Sequence, residues 1–428
     1  MATAEEAPEK SGLEEATEAI QERGFVGGLR TVGRYTVIRW RQGELGALPV
    51  IVGLAVIWIY FQTQQDAFLS ARNLSNIVLQ ISVTGTIAIG VVLVLLLGEI
   101  DLSVGSVAIL CSAVLGLAVV REEWDWYWGI ALMLLVGLAI GVFHGFWFAV
   151  IGVPSFVVTL AGLLGWQGVQ QRVLGTEGTI NVFDENISAI TTSYLPHVWG
   201  WILAIAASAL YAVTRWTEAA RRRRAGLPAE PILVVVVRTV LLAALALLVV
   251  ALLNGEFSGV WKFGDYHEGV PTAGVILLGL VVFFAWVTTR TRFGRYIYAV
   301  GGSAEAARRA GIKVARIRIY VFTLCAAMAA IGGLMQTSRL GAASLAIDPG
   351  QVTLAAIAAA VIGGTSLFGG RGTVWAALLG ALVIGSVENG LDLDGQPSYV
   401  RLYVEGAILL AAVTLDALAR RGRAAAGR

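Results

Sequence analysis

The chain has 428 residues, 57% of them hydrophobic and only 14% charged, with a formal net charge of +2. Soluble globular domains carry about 25% charged residues, so this composition excludes that class. A charge balance so close to neutral points to no particular partner, and nucleic acid is not expected as one. Apolar stretches of about 20 residues recur along the chain, the length that crosses a ~30 Å hydrocarbon layer as a helix. They are continuous and do not alternate, which favours spanning helices over a membrane β-barrel. The expected fold class is an all-α polytopic membrane protein.

Residues 1–45 read as an N-terminal tail. It is acidic at first (Glu5, Glu6, Glu9, Glu14, Glu15, Glu18, Glu22) and basic from Arg23 to Arg41. It lacks the positive stretch followed by an apolar core that marks a secretory signal. Apolar spans are expected at roughly 46–61, 77–97, 104–120, 129–150, 156–174, 198–214, 232–253, 272–289, 317–337, 351–367, 373–390 and 402–418, about twelve in all. Together they make a transmembrane domain over 46–418, followed by a short tail at 419–428. Gln167, Gln170, Gln171 and Arg172 make the second half of the fifth span polar, so that half is expected to face protein or a cavity.

Positive charge orients the set. Arg30, Arg34, Arg39 and Arg41 precede the first span, and Arg215 and Arg221 to Arg224 follow the sixth. Arg290, Arg292, Arg295, Arg308, Arg309, Lys313, Arg316 and Arg318 follow the eighth, and Arg420, Arg421 and Arg423 follow the last. Twelve crossings place all of these, and both termini, on the cytoplasmic side. The outward loops 62–73, 121–128, 175–197, 254–271, 338–350 and 391–400 hold few positive charges. Trp124, Trp126, Tyr127 and Trp128 read as an interfacial belt.

The first polar break is Gly98-Glu99-Ile100-Asp101-Leu102-Ser103-Val104-Gly105-Ser106. An ionised acid at the centre of a membrane helix costs roughly 2.5–3.5 kcal/mol on insertion scales. Glu99 and Asp101 therefore face a polar path, cap a helix or lie at the aqueous margin. Asp101 or Ser103 can cap the helix that follows, and Glu99, Asp101 and Ser103 are candidates for a translocation path or gate. The second break, 363–373, holds five glycines in Gly363-Gly364-Thr365-Ser366-Leu367-Phe368-Gly369-Gly370-Arg371-Gly372-Thr373. It lacks the G-x-x-x-x-G-K-[ST] pattern of a phosphate-binding loop. A re-entrant turn with Arg371 reaching the cytoplasmic surface is expected, with Ser366 and Arg371 as further gate candidates. Gly98-x-x-Asp101-Leu102-x-x-Gly105 matches Gly363-x-x-Ser366-Leu367-x-x-Gly370 in spacing, which suggests two parallel halves.

Other features have structural readings. Cys111 and Cys325 lie inside apolar spans as small core residues, and His144, His197 and His267 show no metal-ligand spacing. Gly137, Gly141 and Gly145 allow close helix packing, within the chain first and between two copies second. Glu388, Asn389, Asp392 and Asp394 are expected at a solvated outer margin. In the cytoplasmic loop 290–318, Ser303 can cap a short helix from Ala304 to Ala310, with Gly311 closing it in a left-handed conformation. Glu305 suits the positive end of that helix, and Arg308 and Arg309 the negative end. So short a helix needs a partner surface, so it reads as a docking helix.

These motifs resemble the permease subunits of carbohydrate-importing bacterial ABC transporters, the ribose/xylose/arabinose group. The likeness rests on 98–106, on Arg292-Phe-Gly-Arg-Tyr-Ile-Tyr-Ala-Val-Gly-Gly-Ser through Gly311-Ile312, and on Ile362 to Arg371. It covers about 46–418 and is strongest for the xylose type, because ribose-type members lack the segment 215–231 and the span after it. The resemblance implies an inner-membrane permease with Ser303, Glu305, Arg308, Arg309 and Gly311 in the ATPase-coupling helix. It implies a second permease copy, cytoplasmic ATPase subunits that use ATP and Mg, an extracytoplasmic sugar-binding protein, and surrounding membrane lipid. No cofactor and no covalent catalysis fall to this chain. Family members often have Asn at Ser303, and the outward insertion with Trp261, Lys262, Asp265 and His267 is longer than usual. The competing readings are a permease for nucleosides or branched-chain amino acids, and an ion-coupled secondary transporter using Glu99 and Asp101.

Overall fold

A computed structural model of the protein describes residues 48–226, 232–254 and 269–425. The acidic tail 1–45 and the outward insertion bearing Trp261, Lys262, Asp265 and His267 lie outside the described residues. Each expected span is helical. In chain order the helices are α1 (Leu48–Gln64), α2 (Ala71–Leu96), α3 (Val104–Gly116), α4 (Trp126–Phe146), α5 (Ser155–Leu174), α6 (Glu185–Thr192), α7 (His197–Arg224), α8 (Ile232–Leu253), α9 (Thr272–Arg290), α10 (Arg292–Gly302), α11 (Ala304–Arg309), α12 (Val314–Leu340), α13 (Pro349–Ile362), α14 (Trp375–Leu393) and α15 (Ser398–Ala425). A π-helical turn continues α3 over Leu117–Arg121, and another continues α4 over Trp147–Ile151.

Among the described residues, 8 helices are long and apolar enough to cross a membrane: α2, α3 and α4 with their π extensions, α7, α8, α9, α12 and α14. The other expected positions hold α1 and α13, apolar but shorter, and the more polar α5 and α15. Helix α13 stops at Ile362, short of the expected 367. A Cβ at Gly363 would lie 1.9 Å from the Ala376 carbonyl oxygen, and Gly364 has φ +104, a conformation open mainly to glycine. The glycine pair ends the helix there. In the polar half of α5, Gln170 turns into the bundle, whereas Gln171 and Arg172 are exposed.

Helix α12 is the central strut, packed on α4, α2 and α3; α14 and α13 close the other side of α2. The most apolar 18-residue stretch of α2 is 78% buried, against 11% in α7 and in α8. The α7–α8 pair is thus a peripheral hairpin, added beside the core. Close approach explains the glycines of α4. A Cβ at Gly141 would sit 2.5 Å from Thr323 Cα, and one at Gly145 would sit 2.7 Å from Ile319 Cα, both on α12. Their small size serves packing inside one chain.

Short strands tie the loops together at one end of the bundle. Strand β1 (Thr179–Asn181) pairs antiparallel with β4 (Ala342–Ser344), Thr179 opposite Ser344. Strand β2 (Tyr194–Leu195) pairs with β3 (Val270–Pro271), Tyr194 opposite Pro271. The polar breaks and the α10–α11 segment meet at the other end.

The expected solvated margin at the end of α14 holds for Asp392, which is exposed, and is corrected for Asn389. Asn389 is buried, its Oδ1 accepting from Asn73 Nδ2 at 2.7 Å, and Glu388 is half-buried. Arg401 pairs with Asp392. Helices α1, α2 and α15 pack around this end, so the buried Asn389 amide must find its partner inside the bundle.

Substituting Gly141→Val should overpack the α4–α12 seam and lower stability by roughly 1–3 kcal/mol. Thermal unfolding of the purified protein checks this; an unchanged melting temperature would contradict the close packing.

Candidate translocation and coupling site

The first break begins where α2 runs out. The Gly98 amide donates to Leu95 O at 2.8 Å, and Gly98 takes φ +78, which turns the chain out of the helix. Residues 99–103 then lead back to α3. Glu99 is partly buried. Its Oε2 accepts from Ser155 Oγ at 2.7 Å, and its Oε1 pairs with Arg318 at 3.2 Å. The Arg318 guanidinium lies 4.5 Å from the centre of the Phe148 ring. This arrangement joins α2, α5, α12 and the π turn of α4 around one carboxylate.

Asp101 is 2% exposed. Its Oδ1 accepts from the Ser103 amide at 2.8 Å and from Ser103 Oγ at 2.6 Å. Ser103 Oγ also lies 3.3 Å from His144 Nδ1, and Trp166 Nε1 donates to His144 Nε2 at 2.9 Å. Indole N–H can only donate, so His144 Nε2 is the acceptor and Nδ1 carries the proton. That proton points at Ser103, whose own proton goes to Asp101. The result is a directional relay from Trp166 through His144 and Ser103 to Asp101, across α5, α4 and the break.

The capping expectation is corrected here. Ser103 occupies the N-cap position of α3, but its side chain makes no bond to the helix amides, because Asp101 engages it. The Gly105 amide is instead taken by Thr353 Oγ1 of α13 at 3.0 Å. A Cβ at Gly105 would lie 2.0 Å from Pro349 O, so α3 and α13 meet N-terminus to N-terminus.

In the second break the backbone shapes the turn. The Ser366 amide donates to Arg371 O at 3.0 Å, and Ser366 Oγ accepts from the Phe368 amide at 3.3 Å. The Arg371 side chain is exposed. Asp101 and Ser103 therefore form a buried polar pair, Glu99 makes a separate, partly buried cluster with Ser155 and Arg318, and Ser366 and Arg371 lie in the other turn.

The short helix forms largely as its sequence dictates. Ser303 Oγ accepts from the Ala306 amide at 3.2 Å, Gly311 has φ +81, and α11 runs from Ala304 to Arg309. Glu305 pairs with Arg308 at 2.9 Å and with Arg309 at 3.1 Å on an exposed face.

The two breaks and this segment share one glycine knuckle. Leu96 O, at the end of α2, accepts from the Gly370 amide at 2.9 Å. A Cβ at Gly301 would lie 1.8 Å from that same Leu96 oxygen. A Cβ at Gly369 would lie 2.7 Å from Gly98 N and 2.8 Å from Gly301 O. Tyr298 OH adds a bond to Gly372 O at 2.8 Å. Burial pushes the Tyr298 phenol above its ordinary pKa, against an opposing hydrogen bond with Thr288, so it stays a donor. Helix α10 thus touches both breaks through backbone atoms.

Reading the sequence missed His144, Trp166, Ser155, Arg318, Thr353 and Tyr298. A lone histidine inside an apolar span was the one available signal for the relay. Arg318 was hidden among the other cations of 290–318.

Asp101→Leu leaves the Ser103 amide and hydroxyl without an acceptor and should cost roughly 1–3 kcal/mol. Asp101→Asn keeps the shape and one acceptor and should cost less. Melting temperatures of the two variants give the ranking; equal stability would show that the relay carries no weight.

A bundle of apolar helices, broken twice by polar turns that meet a segment ending in a short charged helix, defines a polytopic membrane permease. The chain belongs to the family described as branched-chain amino acid transport system / permease component, whose model matches residues 73–413. It is 37% identical over 415 residues to the xylose transport system permease protein XylH of Escherichia coli (strain K12), covering 96% of this chain and 99% of that protein. The Haemophilus influenzae XylH is 36% identical over 376 residues, 86% of this chain and 95% of that one. The ribose import permease protein RbsC of Escherichia coli (strain K12) is 31% identical over 385 residues, 90% and 96% of the respective chains. No solved structure matches.

Proposed function

We propose that this chain is the transmembrane subunit of an ATP-driven bacterial importer for an aldopentose such as D-xylose. The observation that carries the reading is the near full-length likeness to the xylose permeases, 37% against 31% for the ribose permease. Two copies form the path by alternating access in the inner membrane, with both termini cytoplasmic. An extracytoplasmic binding protein delivers the sugar, and cytoplasmic ATPase subunits hold the ATP and Mg. The chain itself catalyses no covalent step.

Coupling runs through α11 and the glycine knuckle. Ser303, Glu305, Arg308, Arg309 and Gly311 shape and present the docking helix. Movement of α10 then reaches Leu96 and Gly370 together, and with them the turns carrying Glu99, Asp101, Ser103, Ser366 and Arg371. The second reading is a permease for nucleosides or branched-chain amino acids; the family description names the latter, but the near full-length likeness to sugar permeases weighs against it.

Proteoliposomes holding the chain with its ATPase and binding protein should accumulate xylose only when ATP is supplied. Uptake of leucine in place of xylose would move the assignment to the second reading. Accumulation by the chain alone, abolished by an uncoupler, would make it an ion-coupled transporter.

The double replacement Arg308→Glu/Arg309→Glu changes the summed charge of 305, 308 and 309 from +1 to −3, counting Glu305 as −1. Exposed pairs of this kind are worth only ~0–1 kcal/mol, so the fold should survive. ATPase co-purification should fall, and undiminished co-purification would remove α11 from the interface.

Gly301→Ala should leave ATPase binding intact while sugar moved per ATP hydrolysed drops by about tenfold, through overpacking against Leu96 O. Gly302→Ala is the control, because a Cβ at Gly302 would meet nothing within 4 Å. Equal coupling in both variants would show that the knuckle transmits nothing.

A further inference from the structure

Beside the docking helix lies a cavity of ≈ 370 Å³ whose Lys313 and Arg316 have no part in the transport cycle described above. It is lined by Arg308, Lys313, Arg316 and Arg318, with Ala149, Ile312, Val314 and Ala315 completing the wall. Two of the cations are already answered: Arg308 pairs with Glu305, and Arg318 with Glu99. Lys313 and Arg316 are exposed and have no ion pair among the described residues. The cavity therefore carries a surplus of positive charge in a concave space.

Its position says what kind of anion fits. Ala149 belongs to the π turn that ends the 26-residue apolar span Trp126–Ile151, so the cavity sits where a membrane-crossing helix leaves the hydrocarbon. The residues around Ala149 form an apolar skirt: Trp147, Val150 and Ile151 are exposed, and so is Tyr320 one turn along α12 from Arg316. A cationic recess directly above an apolar skirt matches an amphiphile, with an anionic head in the recess and a chain along the skirt. An acidic segment of a protein partner would use the cations but leave the skirt unexplained.

We propose that this cavity is a binding site for the phosphate headgroup of an anionic phospholipid, held by Lys313 and Arg316. The proposal rests on the reading of the chain as a membrane permease, but not on its substrate. Bound there, the lipid lies against Arg308 on one side and Arg318, the partner of Glu99, on the other. Membrane composition would thereby reach both the docking helix and the first break.

The test uses the full-length chain, extracted in mild detergent with the subunits that accompany it. It is supplied with an equimolar mixture of phosphatidylglycerol and phosphatidylcholine and weighed intact by native mass spectrometry. The wild type should retain phosphatidylglycerol preferentially. Lys313→Gln/Arg316→Gln should reduce that preference by roughly tenfold, at about 1 kcal/mol per surface cation with allowance for screening. The charge-conserving Lys313→Arg/Arg316→Lys should keep it. An unchanged preference in the neutral variant overturns the proposal. Displacement of the lipid by inorganic phosphate would make it a site for a soluble anion. Loss of ATPase co-purification with lipid retention unchanged would assign the cations to a protein contact. Should the neutral variant fail to fold, the wild type decides by itself, since no preference for phosphatidylglycerol also overturns the proposal. None of these readings requires sugar uptake, so failure here is separable from failure of the proposed function.

Discussion

The structure depends on one constraint: backbone polar groups freed where a helix breaks inside an apolar bundle must be paired again within the protein. Helix α2 ends with its Leu96 carbonyl facing the interior, and the Gly370 amide of a distant turn takes it. That bond forms only because Gly301 leaves room beside the same oxygen and Gly369 leaves room beside Gly98. Glycine supplies the clearance and the left-handed turns at once. Three segments far apart in sequence are thereby fixed to one another through main-chain atoms, which no rotamer change can loosen.

The buried acids follow the same logic at side-chain level. Asp101 is held by the amide and hydroxyl of Ser103 and linked through His144 to Trp166, so no member of the relay is left unpaired in a low-dielectric setting. Glu99 is divided between a hydroxyl and a guanidinium. Both acids are tied to helices that surround α3, so movement of the first break requires these helices to move with it or the bonds to exchange. A well-packed bundle favours discrete rearrangements over gradual deformation, which suits a path with two states.

Much of the fold was legible because membrane spans are written locally, in runs of apolar residues between charged loops. Caps were legible for the same reason: Ser303 and Gly311 act within a few residues of their own positions. Partners across the bundle were not. His144 lies 41 residues from Ser103, and Asn389 lies 316 from Asn73, and no local pattern joins such pairs. The cap assigned to Asp101 or Ser103 failed because these two side chains bond each other and leave the Gly105 amide to Thr353 of a distant helix. Asn389 looked solvated because its neighbours, α1 and α2, are brought there only by the fold.

The head-on meeting of α3 and α13 has an electrostatic outcome. Each helix start carries roughly half a positive elementary charge from its aligned peptide dipoles, so the pair together offers about one. Asp348 sits at the N-cap of α13 and takes the Gly350 amide, and Asp101 lies two residues ahead of the N-cap of α3. Two like-signed helix starts, each met by an acid of its own, can therefore abut inside an apolar bundle.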